Sequence, residues 1–418
     1  MKIKSKYYFV LCLIISFITI KAQTLSLNEV LTHIKINNPQ LKMYDADIQS
    51  MDAAAKGAKS WMAPQVSSGF FMTPYNSKMW KADEMNPGMG NFMLGVTQMI
   101  PNPSKLKADS NYMTAMSSIE VENKNYTLNQ LNMFAKTNYY QWLVLNKKIK
   151  IAGDNLLLLE YMIKSMEIRY QFNMDKLPTY YKAKSQYGSL QNMITMLQND
   201  IFQKRIMLNT LMARDKNTAF EIDSTYTLID FDQIKSDSTS LSQSRSDIKA
   251  IEKTIELNQL KIEAEKTKLR PEFGVNYDHM FAFGEQPQQF SLMLMANIPF
   301  APWSSKMTKA NIDSYQIKKE SLNWQKQMII NEAIGMITGM QTELANLKKQ
   351  YNIAEKSIIP ALKRNYDTTI IAWQNNTGDL FAVLDAWEAL NMAQMDTLDK
   401  LQTILSTQIE IEKQLEIK

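Results

Sequence analysis

Apolar residues along this chain keep two rhythms, a period of two over short stretches and a period of seven over long ones, and the pair of rhythms occurs twice. In the first short stretch Val66, Ser68, Phe70 and Met72 alternate with Ser67, Gly69, Phe71 and Thr73, and Phe92, Leu94 and Val96 continue the pattern after a loop. The second copy is cleaner. Phe273, Val275 and Tyr277 alternate with Gly274, Asn276 and Asp278, and Phe290, Leu292, Leu294, Ala296 and Ile298 return. Such alternation predicts strands with one apolar and one polar or mixed face.

The long stretches predict helices of unusual length. From Ser104 to Phe172 there is no proline and one glycine, Gly153, while Ile119, Tyr126, Met133 and Tyr140 recur at intervals of seven. The second copy runs from Ser304 with Tyr315, Leu322, Ile329 and Met336, and a neighbouring stripe carries Met340, Leu347, Ala354 and Ala361. Seventy helical residues rise about 105 Å, a length suited to coiled-coil packing and not to a globular core. Pro360 predicts a bend in the second helix. The breaks Asn173 to Pro178 and Asn375 to Leu380 turn each helix back, and Leu190, Ile194, Leu197, Ile201, Leu208 and Leu211 carry the return.

Pro64 and Pro271 lie 207 residues apart, and Pro101 and Pro299 lie 198 apart, which makes the chain an internal duplication. The organisation read from it has residues 1–22 as a secretory signal and 23–213 as a first repeat. That repeat holds a helix, a β-hairpin at 66–100 and a long helical hairpin at 104–213. Residues 214–245, richer in Asp, Ser and Thr, form a connector expected outside the helical bundle. Residues 246–418 are a second repeat, with a helix, a β-hairpin at 273–298 and a long helical hairpin at 304–418. The opening helix is expected from Leu25 to Trp61, interrupted at Asn38-Pro39 and stopped by Pro64.

Charge changes this picture little. The formal +5 includes Lys2, Lys4, Lys6 and Lys21, so the rest of the chain is near neutral and nucleic acid is not an expected partner. Lys2 to Lys6, an apolar run from Tyr7 to Ile20 and Lys21-Ala22 read as a cleavable signal. A membrane-anchoring helix is the alternative, but the run is short of the roughly 20 residues needed to span. The only cysteine, Cys12, lies inside this segment in a weak lipidation context, so no disulfide framework or thiol chemistry is expected beyond it. His33 and His279 are the only histidines, which argues against a histidine metal cluster or an enzyme, and no cofactor is expected.

The strands alone also fit a soluble hairpin packed on a helix. The helices favour a membrane reading. Four strands cannot close a transmembrane barrel, whose smallest examples have eight, and an open edge is not tolerated in lipid. Three copies would supply twelve strands and set the helical pairs side by side as a wall.

The chain resembles the TolC-like outer-membrane efflux proteins over essentially its whole length after residue 22. The residues that carry this are Leu25 to Leu31 and Asn37 to Leu41, the Ala53 to Pro64 lead, Gln98 to Pro101 with its echo Asn297 to Pro299, and the tips Tyr170 to Leu177 and Trp373 to Leu380. The resemblance implies a mainly α fold with a small transmembrane β part. In it, duplicated long α-helical hairpins form an α-barrel tunnel and four strands per chain complete a twelve-stranded barrel as a homotrimer. It also implies outer-membrane lipid around the barrel, a tunnel reaching into the periplasm, and docking on a periplasmic adaptor and an inner-membrane transporter. On this reading Met174, Asp175, Lys176, Leu177, Thr377, Gly378, Asp379 and Leu380 meet the adaptor, with Gly378 supplying the turn geometry. The first tip departs from the family pattern, since Asp175 stands opposite Gly378. Asp367, about three turns earlier, is a candidate for aperture gating; a solvated helix-end charge is the plainer reading.

Twenty-nine methionines are many for 418 residues. Met79, Met85, Met89, Met93, Met99, Met293 and Met295 cluster in or beside the hairpins, where thioethers would suit Cu(I) or Ag(I). Methionine also substitutes for leucine as a gap filler. The expected function is therefore passive conduction of a substrate through the outer membrane, with heavy metals, organic solutes or drugs, or type I secretion substrates as alternatives. A periplasmic adaptor or a structural coiled-coil protein are competitors of another class, but neither calls for two matched hairpins.

Overall fold

The computed structural model describes residues 23–172, 176–231, 234 and 237–417. The signal segment, with Cys12, and the tip residues Met174 and Asp175 lie outside these. The chain forms two compact units, one from residues up to 42, 127–237 and 333 onward, the other from 43–126 and 238–332. Neither unit is one repeat, because each takes matching parts from both.

In the first unit, β1 (Gln23–Leu25) pairs in parallel with β4 (Phe220–Ile222). The opening helix therefore starts later than expected, as α1 (Leu27–Asn37), after a capping box in which Ser26 and Glu29 satisfy each other's backbone N–H groups. Asn38 breaks it. The Asn38 side chain donates to the Leu211 carbonyl at 2.9 Å and accepts from Gln40 N–H at 2.9 Å, and α2 (Pro39–Ala55) begins with proline where no donor is missed. That helix ends at Ala55 and not at Trp61, passing into a turn at Lys56-Gly57.

The periods of seven become α3 (Pro103–Gln171) and α7 (Pro302–Ile353), and the returns become α4 (Leu177–Leu211) and α9 (Leu380–Leu415). At 69 residues, α3 rises about 104 Å. Pro360 acts through a π-helical turn, Ala354–Ile358, before α8 (Ile359–Gln374). A proline has no N–H for the carbonyl four residues back and its ring collides with that turn, so the helix widens there and carries on.

The first unit has two apolar cores. One gathers Leu25, Val30, Tyr139, Trp142, Phe220 and Leu401; the other gathers Met162, Met166, Trp373, Leu380, Leu384 and Trp387. The connector differs from expectation. It is not simply outside the bundle, because Phe220, Ile222 and Phe231 are buried. Its polar backbone is held by side chains from two helices. Gln341 Nε2 donates to the Phe231 and Ile234 carbonyls, Lys348 Nζ donates to Ile229 C=O, and Gln408 Oε1 accepts from Ile229 N–H.

Tyr139 ties this region together. Its hydroxyl accepts from Asp223 N–H at 3.0 Å and lies 3.1 Å from the Leu25 carbonyl, joining the two parallel strands at their C-terminal ends. Burial pushes the hydroxyl up to about 12, so the phenol stays neutral and can donate. Tyr139→Phe leaves the half-buried Asp223 N–H and the Leu25 carbonyl without their partner and is expected to lower stability by about 1–3 kcal/mol. A thermal melt followed by circular dichroism that matches wild type would refute this.

In the second unit, α5 (Ser238–Ser244) and α6 (Ser246–Thr267) precede a four-stranded sheet of β2 (Gln65–Phe71), β3 (Asn91–Ile100), β5 (Glu272–Ala282) and β6 (Gln289–Asn297). The order is β2-β3-β5-β6, antiparallel throughout. The central pair, Asn91↔Ala282 to Ile100↔Phe273, joins the two repeats. Both outer strands keep an edge with no partner among the described residues.

Candidate functional site

Directly paired residues in a sheet point to the same side, so the register assigns every strand residue to a face. Val66, Val96, Tyr277 and Leu292 form one row, and Phe70, Phe92 and Phe281 another on the same side. This face is apolar, and it is the exposed one: Leu294 is 84% accessible, and Phe273, Phe290 and Leu292 are also exposed. The opposite face carries the polar residues, yet Asn276 is only 8% accessible and Asp278 only 6%. A soluble hairpin packed on a helix would show the reverse.

Four successive rows cross the middle of the polar face. Gly69, Met93, Met280 and Gln289 form the first, and Ser67, Gly95, Asp278 and Ser291 the second. Gln65, Thr97, Asn276 and Met293 form the third; Met99, Gly274 and Met295 the fourth. Thr97 donates to Asn276 Oδ1 and Asn276 donates to Asp278 Oδ2, both at 2.6 Å. The Asp278 carboxylate lies across Gly95, where a β-carbon would stand 2.2 Å from Oδ1. In the fourth row a β-carbon on Gly274 would be 2.6 Å from Met99 Sδ and 3.2 Å from Met295 Cε. The glycine thus makes the space into which both thioether side chains fold.

The structure divides the seven methionines proposed as metal contacts. Met93, Met99, Met293 and Met295 share the polar face. Met79, Met85 and Met89 lie in the loop beyond it, with Met85 98% accessible. That loop is ordered by backbone and ring contacts: Met89 N–H donates to Met79 C=O, and Trp80 stacks on Phe283 at 5.4 Å. Gly88 and Gly284, both at positive φ, meet back to back between the two hairpin ends. Among the described residues no group of three or more His, Cys, Asp or Glu side chains is arranged to hold a metal. Met280 belongs to the polar face by continuing the same alternation past Asp278.

At the tips, Lys176 caps α4 without a side-chain bond and Leu177 is exposed. Asp379 caps α9 by accepting from Phe381 N–H. The turn geometry comes from Asn376, at φ +59°, and not from Gly378. Gly378 serves close approach: a β-carbon there would meet Ala372 Cβ at 3.0 Å, and the Ala372 carbonyl accepts from the N–H groups of Thr377 and Gly378. Leu380 is 1% accessible, held beside Trp373 and Trp387, so its side chain is in the core and not on the tip surface. Phe381 takes its place on the surface, with Lys182 Nζ 4.3 Å over its ring. Asp367 is exposed; burial first, and then the neighbouring Asp367 carboxylate, keeps the Tyr366 hydroxyl above its usual value.

Among the described residues no helix is long and apolar enough to cross a membrane. Residues 30–214 match the family model described as outer membrane efflux protein. A sequence search of curated proteins finds no match. Among solved structures the chain is similar to VceC of Vibrio cholerae, 15% identical with TM-score 0.72, over 93% of this chain and 95% of that one. It is similar to CusC, 15% identical with TM-score 0.72, over 93% and 91%. The CmeC outer membrane channel of Campylobacter jejuni is 13% identical with TM-score 0.71, over 93% and 85%.

Proposed function

We propose that the chain is a member of the outer membrane efflux protein family, whose model it matches over residues 30–214, and, since its fold is similar to that of outer-membrane channels, that it is the exit duct of a tripartite efflux system and not an enzyme. Three chains would close their sheets into a twelve-stranded barrel in the outer membrane, and their helical hairpins would form the α-barrel tunnel below it. The observation that carries this reading is the inverted sheet: an apolar face turned outward, a polar face buried at its centre around Asn276 and Asp278, and two edges with no partner among the described residues. In lipid the edges of β2 and β6 must be satisfied, and pairing each β6 with the β2 of a neighbour does so. The exposed tips, Lys176, Leu177, Thr377, Gly378, Asp379 and Phe381, would meet a periplasmic adaptor coupled to an inner-membrane transporter.

The test is reconstitution of the full chain in a planar bilayer, together with cell fractionation. Cation-selective channels of uniform conductance are expected, with the protein in the outer-membrane fraction. Recovery in the soluble periplasm would sink the reading. If Asp367 forms a ring of three carboxylates at the aperture, Asp367→Asn lowers cation selectivity, and an unchanged reversal potential removes that role. The methionines of the polar face favour a soft metal ion as cargo over an organic solute, because a thioether adds little to binding a drug that leucine would not.

A further inference from the structure

We propose that the polar face of the sheet is a graded path for a soft monovalent cation, Ag(I) or Cu(I), with a principal site at Met99 and Met295 and a second at Met93 and Met280. The proposal rests on the exit-duct reading for its setting, but its ligands are read from the register alone. Met99 and Met295 are both partners of Gly274 and both fold into the space that its missing side chain leaves. Met93 and Met280 are direct cross-strand partners, which puts their β-carbons about 5 Å apart. Two thioethers at such spacing suit soft cations of low coordination number and offer little to Na(I), Mg(II) or Ca(II).

The two pairs are three rows apart, about 20 Å along the strand. Between them stand Met293 in one row and Asp278 in the other. Asp278 makes no ion pair among the described residues; its bond is to the neutral Asn276 amide. A buried carboxylate held without a cationic partner is costly unless a cation visits it. Here the carboxylate supplies the charge and the thioethers supply the softness. Neutral thioether pairs bind weakly enough for exchange, which a conducting path needs.

The test is titration of the purified full-length protein with silver nitrate, followed by calorimetry and by single-channel current in a chloride-free bath. Wild type is expected to bind Ag(I) and to show a reversible, concentration-dependent reduction of Na(I) current. Met99→Leu/Met295→Leu conserves volume and is expected to weaken Ag(I) binding by about tenfold or more through loss of both soft ligands. Gly274→Ala keeps both methionines but pushes them apart, and should weaken binding as well. Asp278→Asn should reduce Ag(I) affinity through loss of the charge that stands between the two thioether pairs. Met85→Leu, in the loop, should change nothing. Conducting channels whose Ag(I) binding is the same in the double variant overturn this inference and leave the duct standing. Ag(I) binding that depends on Met99 and Met295 in a protein that forms no channels upholds the site and removes the duct.

Discussion

Leu294→Arg is expected to abolish assembly in the outer membrane. Leu294 lies on the exposed apolar face of β6 and is among the most accessible side chains of the sheet. A guanidinium on the lipid side near the bilayer midplane costs about 2–4 kcal/mol per chain, and a threefold assembly would carry the cost three times. The matched control is Ser291→Arg, three residues away on the opposite face and directly opposite Asp278 through β5. There the new charge meets a carboxylate on the side of the proposed aqueous lumen and should be accepted. The readout is the amount of the proposed trimer, seen as a heat-modifiable species, in outer-membrane fractions. Equal assembly of both variants, or loss of Ser291→Arg alone, would reverse the assignment of the two faces.

Trp387→Ala should loosen the tip. Trp387 is buried beside Trp373 and Leu380, and its Nε1 donates to Asn155 Oδ1 at 2.9 Å; Asn155 in turn donates to Asn391. Removing the ring leaves a cavity worth about 3–5 kcal/mol and takes the donor from a buried amide, Asn155 being 4% accessible. Hydrogen exchange is the measurement that separates a local effect from a global one. Amides of α8 and α9 near the tip should exchange about a hundredfold faster or more, by the usual conversion of free energy to opening constant. The strands of the second unit should be unaffected. Trp387→Phe keeps most of the volume and should fall between. Tip amides that exchange at the wild-type rate in Trp387→Ala would show that this core does not hold the tip.

The sheet and the long helices were legible because their signals are long and redundant. Phe273, Val275 and Tyr277 against Gly274, Asn276 and Asp278 leave little doubt about faces, and four such runs agree. The pairing of β1 with β4 was not legible. Each strand has three residues, the partners lie nearly two hundred positions apart, and three residues carry no readable period. The capping box at Ser26 and Glu29 was there to be read, since Ser-x-x-Glu before an apolar run is its signature, and it would have moved the helix start. At the second tip, intrinsic preference pointed to Gly378 for the left-handed position, but asparagine tolerates that region too, and Asn376 takes it. Leu380 looked like a tip residue because its burial is decided by Trp373 and Trp387, which come from other turns of the hairpin. Pro360 announced a disturbance without saying that a π-turn would absorb it.

The order β2-β3-β5-β6 has a consequence for the kinetics of building the barrel. The β3–β5 seam joins strands of one chain, so it forms at a rate independent of how many chains are present, limited only by closing the long loop between them. The β6–β2 seams of the proposed ring wait for encounters between chains. Until then each sheet carries two open edges, the kind of feature that pairs with the wrong partner. Dilute expression therefore leaves the first seam untouched and slows only the second, while crowding before membrane insertion turns the same edges into sites of misassembly.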